Sequence, residues 1–284
     1  MYDIAVIGTG PAGLSAVITL KLHEKSILWF GSPLYSLKIE KSEKIANYPG
    51  VGLISGNELN RRFREHAREM GLESIDRMVT NVMPMKDGFS LLADNEMYEA
   101  RTLLLTTGVV AARGFPGETE FLGRGVSYCA TCDGFLYKGK TIAVHCAVKR
   151  YEHEVAYLAK LAEKVFLNTS YKDSDIDLPN VERIGAIREI HGGLKVNSIV
   201  LADGSEIAVD GLFCLRNAVA PSTLLPDLKL DGPHILVDRL QRTNLPGCYA
   251  AGDCTGRPYQ IAKAVGEGNV AAHAILEYLS KSSA

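Results

Sequence analysis

Residues 3–24 read DIAVIGTGPAGLSAVITLKLHE, and this stretch decides the fold of the N-terminal part of the chain. The apolar run at residues 3–7 predicts a short β-strand. Apolar side chains then recur at intervals of three and four residues, which predicts a helix over residues 13–24. A strand followed directly by a helix is the first half of a βα unit. The stretch therefore predicts an α/β fold with parallel strands.

The turn between this strand and this helix reads GTGPAG, residues 8–13. A GxGxxG turn in this position holds the pyrophosphate of a dinucleotide at the helix N-terminus. Gly8 permits the tight turn, Gly10 lets the backbone approach the pyrophosphate, and Gly13 lets the helix pack against the strand. We predict that the cofactor is bound by Gly8, Gly10, Pro11, Ala12 and Gly13.

Two further stretches indicate which dinucleotide is bound. A site for NAD carries an acidic residue about 20 residues after the glycines, whereas the predicted second strand, residues 26–30, ends in Trp29-Phe30-Gly31. This argues against NAD. Near the other end of the chain, YAAGD ends an apolar strand, and a carboxylate there suits the hydroxyls of a flavin ribityl chain. We therefore expect FAD, with contacts from Gly252 and Asp253.

The composition is that of a globular protein of 284 residues, with 46% hydrophobic and 23% charged residues. Such a chain is long enough for two domains. The formal net charge of −2 gives no argument for nucleic acid or a membrane. No basic segment precedes the first strand, and no run of about 18 apolar residues occurs. We predict a cytoplasmic protein that binds neither nucleic acid nor a membrane.

Alternating strand and helix patterns predict two Rossmann-like, three-layer α/β domains. We place the FAD-binding domain at residues 1–113 and 243–284, so that it is discontinuous in sequence, and the second, smaller domain at residues 114–242. Further helices are predicted at residues 56–71 and about 258–281. Further strands are predicted near residues 79–84, 88–93, 102–106, 164–168, 194–201 and 206–216.

The second domain contains CATCDG, residues 129–134. Two thiols separated by two residues can form a disulfide and exchange it with another dithiol, and a neighbouring carboxylate can move the proton. Cys129, Cys132 and Asp133 are therefore the candidate catalytic residues. Half of a zinc site is the rival interpretation, but the sequence has no second CxxC and no HxxxH, so we predict no metal. The remaining cysteines are expected to be buried thiols: Cys146, Cys214, Cys248 and Cys254.

Together these motifs resemble the low-molecular-weight thioredoxin reductases over nearly the whole chain. The matching stretches are GTGPAG at 8–13, NYPG at 47–50, FPGE at 115–118, CATCDG at 129–134 and AAGDC at 250–254. The resemblance implies a homodimer that binds FAD and passes an electron pair from the flavin through the cysteine pair to thioredoxin.

The same resemblance implies a role for individual residues. Cys132 would face the flavin, Cys129 would attack the thioredoxin disulfide, and Asp133 would be the general acid–base partner. Asn47 and Gln260 would lie near the flavin.

The chain departs from the NADPH-dependent members of this family in two places. Those members carry a second glycine motif after the strand that follows CATCDG, where this chain reads HCAVKR at residues 145–150. Each side chain there narrows the approach to a pyrophosphate. The basic cluster for the 2′-phosphate is replaced by NTSYKD at residues 168–173. We predict that NADPH is not used.

A third departure lies in the loop after the second strand. There, residues 32–37 place Tyr35 either over the flavin or on the surface.

An electron donor for thioredoxin must reach a potential of about −270 mV or lower, which favours a low-potential ferredoxin. The chain then most resembles the ferredoxin-dependent flavin thioredoxin reductases. Two alternatives stay open: a disulfide oxidoreductase fed by a second flavin or a partner protein, and a non-catalytic flavin redox sensor.

Ferredoxins are commonly acidic, so a basic docking face is expected. The candidate residues are Arg61, Arg62, Arg64, Arg68, Lys149 and Arg150. Ordinary solvated side chains balanced by nearby glutamates are the alternative.

Overall fold

The computed structural model describes residues 1–33, 36–40, 42–94, 96–108, 114–118, 120–128, 130–216 and 221–281. The strands are β1 (Tyr2–Ile7), β2 (Ile27–Phe30), β3 (Val79–Met85), β4 (Gly88–Ala93), β5 (Glu96–Leu105), β6 (Val126–Ser127), β7 (Thr141–Cys146), β8 (Lys164–Thr169), β9 (Val181–Arg183), β10 (Ile187–Gly192), β11 (Val196–Leu201), β12 (Glu206–Ala208), β13 (Gly211–Leu215), β14 (Leu230–Asp231), β15 (His234–Ile235) and β16 (Cys248–Ala250). The helices are α1 (Pro11–Leu22), α2 (Leu37–Glu40), α3 (Gly56–Glu69), α4 (Ala130–Asp133), α5 (Glu152–Leu161), α6 (Pro221–Leu224) and α7 (Ile261–Lys281).

The chain divides into two compact units, Met1–Ala111 with Pro221–Ala284, and Ala112–Ala220. Residues 221–242 were predicted to belong to the second domain, but they pack in the first unit. There, Gln241 accepts a hydrogen bond from the Ala250 amide. The composition change near residue 243 therefore marks the approach to β16, and the chain has returned to the first unit before that point.

The first unit is built on a six-stranded sheet with the order β2-β1-β5-β4-β3, in which β16 also pairs with β5. β1 pairs in parallel with β2 and β5, and β16 pairs in parallel with β5. The expectation of parallel strands is wrong for β3 and β4, because β4 pairs antiparallel with β5 and β3 pairs antiparallel with β4. Only Lys86 and Asp87 connect β3 to β4, and so short a connection can only reverse the chain.

Helices α1 and α7 pack closely together in the first unit. A Cβ atom at Gly268 of α7 would lie 2.1 Å from the carbonyl oxygen of Ala12 in α1. The Gly- and Ala-rich sequence of α7 is therefore a packing surface for α1. In the described part of the chain, no helix combines the length and the apolar character needed to cross a bilayer.

The second unit contains a parallel five-stranded sheet with the order β6-β13-β7-β8-β9 and an antiparallel sheet of β10, β11 and β12. Helix α5 buries Val155 and Leu158 against Val144, Val165 and Phe213 of the parallel sheet. The strand and helix periodicity of residues 141–161 therefore builds the core of this unit.

The predicted strand at residues 206–216 is two strands that belong to different sheets. β12 pairs with β11 in the antiparallel sheet, and β13 pairs with β7 in the parallel sheet. Asp210 lies between them, where its amide donates to the Thr141 carbonyl and its carboxylate accepts from the Thr141 amide at 3.1 Å. These hydrogen bonds hold Asp210 at the point where the chain passes from the antiparallel to the parallel sheet. The apolar residues on either side of it do not indicate that the strand is interrupted.

Candidate cofactor and dithiol sites

The glycine turn follows β1 and shows why each glycine is needed. Gly8 has φ +122°, and a Cβ there would lie 2.2 Å from the Thr106 carbonyl oxygen. A Cβ at Gly13 would lie 2.1 Å from the Gly8 carbonyl oxygen. Around Gly10, by contrast, no atom of the described chain comes within 4 Å of a Cβ position. Gly8 and Gly13 are thus required for packing, and Gly10 faces open space of the kind a pyrophosphate needs.

The N-terminus of α1 supports the same assignment. Gly10 is the N-cap residue, Pro11 begins the helix, and no side chain caps the first turn. The first amide groups of a helix need an acceptor, and a phosphate supplies one.

Three loops meet at one edge of the first sheet. Ile7 and Ala250 are both paired with Leu105, so the glycine turn, residues 106–108 and the Gly252-Asp253 turn follow aligned carboxyl ends of parallel strands. Ligands of open α/β sheets bind at this edge. Here the Thr107 hydroxyl oxygen is buried and has no hydrogen-bond partner among the described residues, as expected of a group that bonds to a cofactor.

The Gly252-Asp253 turn is held from helix α7. Gly252, at φ +89°, donates its amide to a carboxylate oxygen of Glu267 at 2.8 Å. The Lys263 ammonium donates to the Gly252 carbonyl at 2.7 Å and pairs with Glu267 at 3.0 Å. Lys263 and Glu267 were not among the predicted site residues. Their signal is an i, i+4 ion pair in the first turns of the helix that follows AAGDC.

Asn47 and Gln260 are directly bonded to each other. The Asn47 amide nitrogen donates to the Gln260 side-chain oxygen at 2.7 Å, although the residues are 213 positions apart. These residues and the sheet edge fit FAD. The glycine turn would hold the pyrophosphate, and Asp253 would bond the ribityl hydroxyls. Tyr35 lies outside the described residues.

At the position of the missing ribose-binding acid, Trp29 donates its indole N–H to the Gly8 carbonyl at 2.9 Å. The second strand therefore supports the glycine turn instead of presenting an acid to a nicotinamide nucleotide.

The dithiol segment follows β6 in the second unit. Cys129 lies outside the described residues, and Cys132 lies in α4. The Ser127 hydroxyl donates to a carboxylate oxygen of Asp133 at 2.7 Å. Ser127 was not among the predicted site residues, and it orients the carboxylate that is the candidate proton donor.

The turn after β7, where a nucleotide would bind, is closed. Val148 is extended, with φ −142° and ψ 131°, and the Cys146 thiol donates to its carbonyl at 3.3 Å. The Tyr171 hydroxyl lies 3.5 Å from the Cys146 sulfur and donates to Glu152 at 2.9 Å. Protein side chains therefore fill the turn, and burial raises the pKa of Tyr171, which keeps its hydroxyl protonated.

The N-terminus of α5 already has an anion. Glu152 is the first residue of this helix, and its carboxylate also accepts from the Asp175 amide at 3.2 Å. Lys149 of the same turn pairs with the Asp175 carboxylate at 2.9 Å. A pyrophosphate at this turn would lie beside the Glu152 carboxylate, and the two negative charges would repel each other, so the charge pattern opposes it.

The candidate basic surface on α3 is partly neutralised within the helix. Glu58 accepts from Arg61 at 2.7 Å and from Arg62 at 2.9 Å, and Arg61 also pairs with Glu65. This agrees with ordinary solvated pairs on an exposed helix face.

The four cysteines outside the CxxC pair are buried free thiols, as predicted from their apolar surroundings.

His145 of β7 is buried and bonds through Nδ1 to the Asn168 side-chain oxygen at 2.7 Å. Burial lowers the pKa of His145, and the hydrogen bond with Asn168 opposes this only in part. The unfolded chain therefore binds a proton more tightly than the folded protein does. The stabilisation is complete above about pH 6.5, the usual histidine pKa, and is lost as the pH falls below it.

We therefore expect thermal stability to fall between pH 7 and pH 5, and His145→Gln, which cannot titrate, to flatten that dependence. Melting curves of the FAD-loaded proteins across this range measure it. An unchanged pH dependence in the variant would show that His145 does not contribute.

Comparisons with known proteins agree with these sites. Residues 2–268 match the family model of the pyridine nucleotide-disulphide oxidoreductases. The thioredoxin reductase of Helicobacter pylori is 32% identical over 309 residues, which cover 98% of this chain and 99% of that protein. The thioredoxin reductase of Listeria monocytogenes is 30% identical, with 99% and 95% covered.

Among solved structures, a ferredoxin-flavin thioredoxin reductase from Clostridium acetobutylicum superposes with a TM-score of 0.93 at 42% identity, covering 99% of this chain and 98% of that one. The match extends through both units, the glycine turn and the dithiol segment. The chain is therefore a member of the pyridine nucleotide-disulphide oxidoreductase family, a thioredoxin reductase-like flavoprotein whose cofactor is FAD.

Proposed function

We propose that this protein is a ferredoxin-dependent thioredoxin reductase, in which electrons pass from reduced ferredoxin through FAD and the Cys129/Cys132 pair to thioredoxin without NADPH. FAD supplies the conversion between single electrons and an electron pair. The protein has to bind the cofactor, hold the dithiol and exclude a nicotinamide nucleotide.

The closed turn after β7 carries this proposal. Val148 replaces a glycine, Tyr171 covers Cys146, and Glu152 places a carboxylate at the N-terminus of α5. A dinucleotide would have to displace a half-buried tyrosine and approach a negative charge. The same fold therefore keeps its core but lacks both the room and the charge that NADPH requires.

The residues of the dithiol segment retain what disulfide exchange needs. In this proposal the Cys129–Cys132 disulfide accepts the electron pair and opens to the dithiol form. The Cys129 thiolate then attacks the thioredoxin disulfide, which gives a mixed disulfide and a leaving thiolate on thioredoxin. Cys132 then attacks Cys129, which releases reduced thioredoxin. Asp133, held by Ser127 at 2.7 Å, protonates the leaving thiolate.

An apolar surface beside α4 suits a protein substrate. Phe135 and Leu136 follow CATCDG, and they are 63% and 52% exposed. Large apolar side chains so exposed next to a reactive pair favour a protein partner over a small-molecule disulfide.

The proposal also includes that the protein is a homodimer and that it acts in the cytoplasm.

A turnover assay with two donors tests the proposal. Thioredoxin should be reduced when photoreduced ferredoxin is supplied and should stay oxidised with NADPH at the same enzyme concentration. Turnover with NADPH alone would refute it. Turnover with neither donor, together with about two flavins per chain, would support an oxidoreductase fed through a second flavin.

A further inference from the structure

A row of buried polar side chains crosses the carboxyl edge of the parallel sheet in the second unit. Tyr128 follows β6, Arg216 follows β13, His145 lies near the end of β7, and Asn168 lies near the end of β8. These four strands are consecutive neighbours in the sheet. With Glu118 they form what we call the polar row, and each of its five members is no more than 9% exposed.

Glu118 is the centre of the polar row. Its two carboxylate oxygens accept from the Arg216 guanidinium at 2.8 and 3.0 Å. One oxygen also accepts from the Tyr128 hydroxyl at 2.9 Å, and the other accepts from the Phe115 amide at 2.8 Å. Burial raises the pKa of Tyr128, so this hydroxyl remains a donor.

The Phe115 ring joins Arg216 to the other end of the row. The guanidinium carbon lies 4.9 Å from the ring centre, and the His145 ring meets the same ring edge-on at 5.1 Å. His145 bonds to Asn168, whose amide donates to the Gly185 carbonyl at 3.0 Å. Hydrogen bonds, one ion pair and ring contacts therefore connect β6 to the segment after β9 along the carboxyl edge of the parallel sheet.

The placement of Tyr128 connects this row to the dithiol. Tyr128 is the residue directly before Cys129. Its hydroxyl is held by the buried carboxylate of Glu118, which also accepts two hydrogen bonds from Arg216. Asp133, directly after Cys132, is fixed by Ser127. A buried ion pair is weak evidence for stability, and its best attested use is to specify one arrangement.

We propose that Glu118 and Arg216 are positioning residues for the dithiol, which act through Tyr128 by holding the segment that carries Cys129. This inference rests on the proposed function only in taking Cys129 and Cys132 as the redox pair.

The hydrogen bond from Tyr128 to the Glu118–Arg216 pair, which we call the anchor, has a predictable effect on the redox equilibrium of the two cysteines. Oxidation removes two electrons and two protons from the thiols and brings the sulfurs to about 2 Å from each other. An anchored segment loses less freedom when that bond closes. Releasing the anchor therefore disfavours the disulfide relative to the dithiol.

The test is the reduction potential of the pair in Tyr128→Phe, which removes only the hydroxyl. The FAD-loaded protein is equilibrated in dithiothreitol redox buffers, its thiols are trapped by alkylation, and the alkylated cysteines are counted by mass spectrometry. The full contribution of a hydrogen bond to a charged group corresponds to about tenfold in an equilibrium constant, and only the part that differs between the dithiol and the disulfide enters here. We therefore expect the potential to become less negative by up to about 30 mV.

Tyr98→Phe is the matched control. Its hydroxyl donates to Glu96 at 2.8 Å and accepts from Arg77 at 2.6 Å, so it removes the same kind of Tyr–Glu–Arg contact in the other unit. We expect the wild-type potential there. An unchanged or more negative potential in Tyr128→Phe, or an equal shift in both variants, would overturn the positioning role. Because the measurement uses neither ferredoxin nor NADPH, its failure would leave the question of the donor untouched.

Discussion

Replacing Cys132 by serine is expected to abolish thioredoxin reduction while FAD stays bound. A serine oxygen cannot form the disulfide that stores the electron pair, so turnover should fall to the level of the assay without enzyme. The fold should persist, because the substitution changes one atom in α4. Thioredoxin reduction with the ferredoxin donor, measured beside the flavin absorbance, tests both parts.

Cys146→Ser is the control for this prediction. The Cys146 thiol donates to the Val148 carbonyl at 3.3 Å, and a serine hydroxyl can make the same bond. This variant should retain both FAD and turnover. Turnover retained in Cys132→Ser would contradict the role given to that thiol.

Replacing Gly10 by valine is expected to remove FAD and leave the protein folded. Gly10 has φ −71° and ψ −178°, a conformation that any residue adopts, and a Cβ atom there would contact no other part of the described chain within 4 Å. It would fill the space that we assign to the pyrophosphate. We expect FAD affinity to fall by roughly 100-fold or more, which is about 3 kcal/mol. Flavin content after gel filtration and far-UV circular dichroism measure the two parts.

Two other glycines serve as controls. Gly193 also has open space around a Cβ position but lies in the second unit, so Gly193→Val should keep its FAD. Gly8→Ala, with φ +122° and an atom at 2.2 Å, should lose the fold as well as the cofactor. If Gly10→Val kept its FAD, the pyrophosphate would have to lie elsewhere.

Local patterns predicted the parts of the fold that depend on neighbouring residues. The strand before the glycine turn and the helix after it came from periodicity, as did α3, which begins at Gly56 as predicted. The boundary at residue 221 was missed because it depends on the pairing of Gln241 with Ala250. Sheet membership after Asp210 was missed for the same reason, since an apolar run does not show which strand it will pair with.

The candidate sites show the same division. The glycines of the turn could be identified because the reason for each is local, and the loss of glycine at Val148 was visible for the same reason. The sequence does not show that Tyr171 closes that turn by bonding to Glu152. Nor does it show that Arg216 donates hydrogen bonds to Glu118, which lies 98 residues earlier in the sequence. A polar residue at a strand end resembles a surface residue until the fold buries it.

The central claim is that the turn after β7 is closed to NADPH. An anaerobic titration followed by absorbance tests this claim most directly. The FAD-loaded protein is mixed with NADPH in one cuvette and with photoreduced ferredoxin in another. We expect the flavin band to stay unchanged with excess NADPH and to bleach with ferredoxin. Prompt bleaching by micromolar NADPH would contradict this account.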